Sequence, residues 1–253
     1  MTPTNIDHLI TKAAALWKES RSAVAFTGAG FSVPSGIPDF RSPGGLWTRY
    51  DPFEVATAQA LDSNPKGVWE FMLETVQLLE KAAPNPAHLA LADLEQAQHL
   101  TGVITQNIDN LHQEAGSRVV VEYHGNFKRF YCQNCAVEKP MSEVRALSLE
   151  AIPCTCGFCG GLIRPDVVFF GESIPAAAHH QSLDMISKAD LILIAGTSGE
   201  VAPANVLPRQ VKINGGHVIE INLGTTTYGD ITDIRFDAPV EDILPQLSRS
   251  ILT

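Results

Sequence analysis

The sequence is poor in basic residues. Lys and Arg number 18 against 28 Asp and Glu, a formal net charge of −10. That balance speaks against a broad nucleic-acid surface, and no direct nucleic-acid binding is expected. A basic partner, such as a lysine-bearing tail, is drawn to it instead. Long apolar runs are missing too. None approaches the ~18 residues that a membrane span requires, so no membrane association is expected. The opening stretch MTPTNIDHLITKAAALWKES lacks a secretory pattern. Its Ile6, Leu9, Ile10, Ala13, Leu16 and Trp17 fall near helical spacing, which predicts an amphipathic helix on the body of the protein. Cysteines are few, five in all. Without an export signal they read as metal ligands or free thiols, not disulfides, and a cytoplasmic location is expected.

What is present suits one large domain, or one with a smaller module inserted: 253 residues, 45% hydrophobic, with no repeat and no low-complexity stretch. SAVAFTG (22–28), LTGVITQN (100–107), ADLILIAGTS (189–198) and GGHVIEINLG (215–224) are short apolar runs ending in small or polar residues. They read as buried strands. Helical patterns lie between them, one capped by Asn85 with Pro86 in its first position. This alternation predicts an α/β fold with a Rossmann-like parallel sheet, and ligands at the carboxyl ends of its strands. Two stretches break the rhythm. Residues 43–83 are loop and helix, and 127–163 hold the cysteines. Both read as one small module, with the large part formed by about 1–42, 84–126 and 164–253.

Several motifs sit at the strand ends. In TGAGFSVPSGIPDFR, Gly28 and Gly30 would let backbone amides approach a pyrophosphate, with a helix N-terminus following. Val33 stands where a dinucleotide fingerprint has its third glycine, so a plain strand–helix turn has the same form. Pro34, Ser35, Gly36 and Pro38 then predict a loop carrying Asp39, Phe40 and Arg41. In TQNIDNLH, Gln106, Asn107 and Asp109 suit ribose hydroxyls or a carboxamide, or simply a turn bonded to its own backbone. His112 reads as structural. His124, ending VVVEYHG, is either a core histidine or a proton-transfer group.

The cysteines are paired. Cys132-Gln-Asn-Cys135 and Cys156-Gly-Phe-Cys159 are two CxxC knuckles, spaced at the upper end of the structural zinc pattern of about 15–20 residues. Four thiolates close a tetrahedral shell and leave no open position, so the predicted zinc is structural. Cys154 is the spare thiol. The alternative is a set of reduced, buried cysteines.

Taken together, GAGFS with GIPDFR, TQNIDNLHQEAG, YHG, CxxC…CxxCGG, IRPDVVFFGE, and GTS…VAPA followed by IN resemble the sirtuin family of NAD-dependent protein deacylases. The resemblance runs from about Ala23 to the C-terminal helix. It implies a Rossmann-like large domain and a small domain of zinc ribbon plus helical module, with NAD in the cleft between them. It implies that Gly28, Ala29 and Gly30 face the diphosphate, and that Asp39, Phe40, Arg41 and Trp47 belong to the cofactor loop region. By the same likeness Gln106, Asn107 and Asp109 contact the nicotinamide ribose and carboxamide. Gly196, Thr197 and Ser198 line a strand end, Asn222 and Leu223 hold the adenosine half, and the Val240 backbone closes over adenine. His124 matches the catalytic base, with Asn107 beside it. Val168, Phe169, Phe170, Gly171 and Glu172 would pair with an acylated-lysine peptide, opposite Glu200 and Val201. The implied reaction consumes NAD, frees lysine and nicotinamide, and forms O-acyl-ADP-ribose.

Two positions depart from the family pattern. Gly199 replaces an apolar residue common in relatives. Met72 and Thr75 stand where relatives preferring acidic acyl groups carry tyrosine and arginine. Met72 either packs against an acyl chain or is plain core. The rival activities on this scaffold are mono-ADP-ribosyl transfer and NAD hydrolysis. A non-catalytic binding module has no need of His124, Asn107 and Asp109 together.

Overall fold

The computed structural model describes residues 3–40 and 44–253. Among these the strands, in chain order, are β1 (Ala23–Thr27), β2 (Gly102–Thr105), β3 (Val120–Glu122), β4 (Gly125–Cys132), β5 (Glu138–Lys139), β6 (Ile163–Val167), β7 (Leu191–Ala195), β8 (His217–Ile221) and β9 (Ile234–Phe236). The large sheet runs β3-β2-β1-β7-β8-β9, parallel throughout. Winding starts at β1, moves out to β3, then returns to β7 beside β1. That is the doubly wound order, and its crevice opens where β1 and β7 part.

The apolar runs form strands because both faces are covered. Ala23, Ala25, Leu191, Leu193, Ala195, Ile219 and Ile221 pack on one side. The helices Pro3–Glu19, Pro86–Gln96 and Val240–Leu252 cover them with Trp17, Leu91, Leu94, Leu244 and Leu247. Val24, Phe26, Ile192, Ile194 and Val218 point the other way, against Ile186, Leu207 and Val211. Each such side chain contributes roughly 1.5–3 kcal/mol by leaving water.

A second core lies apart from these two. Helix Pro65–Leu79 presents Val68, Trp69, Met72 and Val76 to Phe130, Cys132, Ile163 and Phe169. The Trp69 indole donates to the Ile163 carbonyl at 3.1 Å. Its sheet is antiparallel, β5-β4-β6. The helical stretch and the cysteine stretch, distant in sequence, thus share one apolar centre. Gly125 connects this sheet to β3. At φ +82°, a Cβ there would lie 2.0 Å from the Asp166 carbonyl oxygen, so no side chain fits directly after His124.

Asn85 caps Pro86–Gln96 as the sequence predicts, accepting from the amides of Ala87 and His88. Its own amide group donates to the Phe31 carbonyl at 2.8 Å, which ties this helix to the turn after β1. His88 and His112 sit beneath that turn, ring centroids 4.8 Å apart, each against Phe31. Burial pushes His88 down to about 4 and His112 well below the usual imidazole value. Both stay neutral in the fold yet take up protons once unfolded. Below pH about 6.5 the unfolded chain binds more protons, so stability falls as pH drops from there toward 4. Denaturant unfolding at stepped pH should show this acid-side loss. His88→Gln, which keeps a polar group near the cap, should flatten it; an unchanged slope would contradict the assignment.

Candidate active site

The turn after β1 and the turn after β7 touch backbone to backbone. The amide of Gly28 donates to the Ala195 carbonyl at 3.2 Å, and that of Gly30 to the Gly196 carbonyl at 2.8 Å. Gly196, at φ +66°, would place a Cβ 2.1 Å from the Phe31 nitrogen. The close packing of the two turns gives the glycines a structural reason of their own. Their first task is mutual close approach, and the Gly28 and Gly30 amides are engaged within the chain. The expected helix start is also absent from this place. Two 3₁₀ turns follow instead, Ala29–Phe31 and Val33–Ser35, the second holding Pro34 and ending at Gly36 in the left-handed region.

A buried polar network lies under these turns. The Asn107 side-chain amide donates to the Gly28 carbonyl at 3.0 Å and to Ser32 Oγ at 3.1 Å. Ser32 Oγ donates to Asp109 Oδ2 at 2.6 Å, and Asp109 Oδ1 accepts from the Leu111 amide at 2.9 Å. Burial pushes the Asp109 carboxyl up, against the opposing pull of those two donors. Ser32 is the member the sequence reading passed over. Its signal was a hydroxyl directly after GAGF, and it is now 1% exposed. Gln106 joins three strand ends. Its backbone amide donates to the Thr27 carbonyl, its side chain to Thr197 Oγ1 at 3.0 Å, and its carbonyl faces His124 Nδ1 at 3.1 Å. A carbonyl only accepts, so Nδ1 carries the proton and Nε2 keeps its lone pair. Burial lowers the His124 pKa, and the Gln106 bond offsets part of that. The ring is a neutral base at neutral pH.

Residues 28–203 match the Sir2 family. This chain belongs to that family. An NAD-dependent protein deacetylase of Caldivirga maquilingensis is 47% identical over 224 residues, 88% of this chain and 86% of that one. An NAD-dependent protein deacylase of Pyrococcus abyssi is 42% identical over 246 residues, 96% and 98% of the two chains. Among solved structures, a Sir2 homolog–NAD complex superposes with a TM-score of 0.89 at 39% identity, covering 95% of this chain and 93% of that one. A Sir2 enzyme holding a deacetylated p53 peptide and 3′-O-acetyl-ADP-ribose superposes with 0.89 at 36%, covering 95% and 97%.

The remaining expected residues divide around this Sir2 cleft. Thr197 donates its amide to Asn222 Oδ1 at 2.7 Å. Leu223 is exposed, whereas the Val240 side chain is buried in the core, which leaves that residue its backbone for any contact. Phe40 stacks on Trp47 at 5.0 Å, and backbone bonds join Asp39 to Leu46 and Phe40 to Trp47. Arg41 lies outside the described residues. The Val168–Glu172 segment is strongly held. The Val168 amide donates to the His124 carbonyl, and Phe170 is bonded at both backbone groups to Ala56 and Ala58. Glu172 is taken up by Arg164 on both carboxylate oxygens and accepts from the Phe169 amide. Phe169 is buried in the second core, while Phe170 and Gly171 face solvent with Glu200. Gly199 sits at φ +78°, where a Cβ would strike Thr227 and Tyr228. Met72 is core, 1% exposed.

The four paired cysteines converge. Their sulfurs all lie within 4.8 Å of one another. Cys132 and Cys159 are 3.4 Å apart, Cys135 and Cys156 3.7 Å, and Cys135 and Cys159 3.4 Å. Thiolates at about 2.3 Å from a tetrahedral zinc would be about 3.8 Å apart, so the set fits the ion. Cys154 stays outside it, buried in the second core with its thiol pushed up by burial. Cys154→Ser should keep one zinc per chain by metal analysis, whereas Cys156→Ser should lose zinc and unfold the ribbon. Zinc loss in the first and retention in the second would reverse the ligand assignment.

Proposed function

We propose that this Sir2-family chain is an NAD-dependent protein-lysine deacylase, moving an acyl group from lysine to ADP-ribose with release of nicotinamide. The observation that carries the reading is His124. It is a neutral imidazole just after β3, its Nδ1 held on the Gln106 carbonyl, beside strand-end turns whose polar groups are already bonded.

NAD would supply the electrophile, an anomeric carbon bearing nicotinamide as leaving group. The residues of the chain do the rest. Gly28 to Gly30 and Gly196 to Ser198 shape the crevice for the diphosphate. Asn107, Asp109 and Ser32 hold the ribose and carboxamide in one orientation, which converts an intermolecular attack into a positioned one. Asn222 and Leu223 take the adenosine half, with the Val240 backbone. Asp39, Phe40, Arg41 and Trp47 cover the cleft. His124 Nε2 accepts a proton from a ribose hydroxyl and so makes that oxygen a nucleophile. The acylated peptide lies between Val168–Glu172 and Glu200–Val201, its lysine reaching inward past Phe169. The net charge of −10 suits a lysine-rich partner better than nucleic acid. The zinc ion would be held by Cys132, Cys135, Cys156 and Cys159 with no open position, so it braces the ribbon. We place the protein in the cytoplasm, where cysteines that form no disulfide stay reduced. No helix among the described residues is long and apolar enough to cross a membrane.

Met72 and Thr75, the positions from which a cation would reach an acidic acyl group, carry none. The Thr75 hydroxyl is engaged on the Phe71 carbonyl, and Met72 is buried among apolar side chains. An acidic acyl group would lose its hydration there without a partner, at a cost of several kcal/mol. On one peptide, kcat/KM should therefore be higher for acetyl or butyryl lysine than for succinyl lysine. Mass spectrometry of the same reactions should find O-acyl-ADP-ribose; ADP-ribose attached to protein, with no acyl product, would overturn the deacylase reading. His124→Ala should lower deacylation by a factor on the order of 10²–10⁴ while ADP-ribose affinity stays within about threefold. Asn107→Ala should weaken both. A fully active His124→Ala enzyme would remove the base from the scheme.

A further inference from the structure

Among the described residues, one carboxylate is completely buried and lies outside the groups used so far. Glu220, on β8, is 0% exposed. Four donors surround it. The Asn222 amide reaches Oε1 at 3.1 Å, Thr226 Oγ1 reaches it at 2.6 Å and Arg235 at 3.2 Å, while Thr232 donates to Oε2 at 2.9 Å. A strand residue facing an apolar layer has no need of a charge there. Burying one without full pairing is costly, so the four donors argue for a built site.

The consequence falls on Asn222. A side-chain amide can turn over, exchanging its oxygen for its NH₂. A carboxylate accepts and cannot donate, so it holds the NH₂ of Asn222 on its own side. The oxygen of Asn222 is then left facing the Thr197 amide, which it accepts at 2.7 Å. Thr197 Oγ1 accepts from Gln106, whose carbonyl holds His124. A continuous file of hydrogen bonds thus runs Glu220, Asn222, Thr197, Gln106, His124 across the carboxyl ends of β8, β7, β2 and β3. It joins the adenosine end of the crevice to its base.

We propose that Glu220 is a positioning residue for the dinucleotide: an acceptor-only anchor that sets the Asn222 amide and, through it, the Gly196–Ser198 turn. The inference rests on the reading that these strand ends bind NAD, and it concerns binding before chemistry. Removing the carboxylate frees Asn222 to turn over and present NH₂ to an N–H, which breaks the file at its second link. Arg235 is partly exposed and also bonds the Gly224 carbonyl, so it can turn to water when its partner is lost.

The test is calorimetric titration of ADP-ribose into the full chain, beside kinetics in which NAD and acetyl-peptide are varied separately. Glu220→Ala should bind ADP-ribose about tenfold more weakly, the scale of one hydrogen bond to a charged group. The KM for NAD should rise to match, with the peptide KM within about twofold. Glu220→Gln, which still offers an oxygen, should recover part of the affinity. In the Asn222→Ala background the effect of Glu220→Ala should vanish, because both act at one link. Additive losses would show a merely structural role, and unchanged ADP-ribose affinity in folded Glu220→Ala would overturn the proposal. Should Glu220→Ala fail to fold, Thr226→Val removes one donor and serves in its place. A loss of about threefold that disappears with Asn222→Ala is then expected, and no loss overturns the proposal. Binding of ADP-ribose without deacylation by the wild-type chain would defeat the proposed activity but leave this test of Glu220 intact.

Discussion

The hydrogen bond between His124 Nδ1 and the Gln106 carbonyl is the contact through which the fold reaches the chemistry. Gln106 is fixed by Thr27 at the end of β1 and by Thr197 after β7. Each of those turns is fixed by the other, since Gly28, Gly30 and Gly196 meet at backbone distance. His124 therefore inherits its position from the ends of three strands. It inherits its tautomer from one carbonyl. The same residue starts the path to the second sheet, because Gly125 and the Val168 amide follow from it directly. His124, the turn after β1 and the Val168–Glu172 segment are parts of one hydrogen-bonded frame.

The two-core arrangement gives that frame its shape. One sheet with helices on both faces supplies rigid strand ends. The second core is built by Trp69, Phe130 and Ile163 from stretches separated by tens of residues, and it buries Phe169. The cysteine cluster closes the far end of the same module. A metal held there would brace the ribbon and, through it, β6. The Arg164–Glu172 pair locks that segment from behind.

Much of this was legible in the sequence for physical reasons. Apolar runs such as LILIA and AVAFT have few ways to be satisfied other than as doubly covered parallel strands. The CxxC pairs state their geometry in their spacing. Asn85-Pro86 is a helix start by the chemistry of its side chains. Other features were hidden. GAG suggests a phosphate turn followed by a helix, but the sequence does not show that Ala195 and Gly196 would lie against it and accept from the Gly28 and Gly30 amides. Met72 left two packings open, and only the neighbours Trp69, Phe130 and Phe169 decide between them. Ser32 and Glu220 show no local sign of their roles, since their partners, Asp109 after β2 and Arg235 on β9 among them, arrive from other segments. Long-range pairing was the information missing in each case.

The central claim is that His124 is held as a neutral base with its proton on Nδ1. Nitrogen-15 NMR of the histidine rings, assigned by comparison with His124→Ala, reads tautomer and titration together. The expected result is the Nδ1–H tautomer at pH 7 and a midpoint for His124 below the ordinary value of about 6.5. An Nε2–H tautomer, or a midpoint above that value, would contradict it.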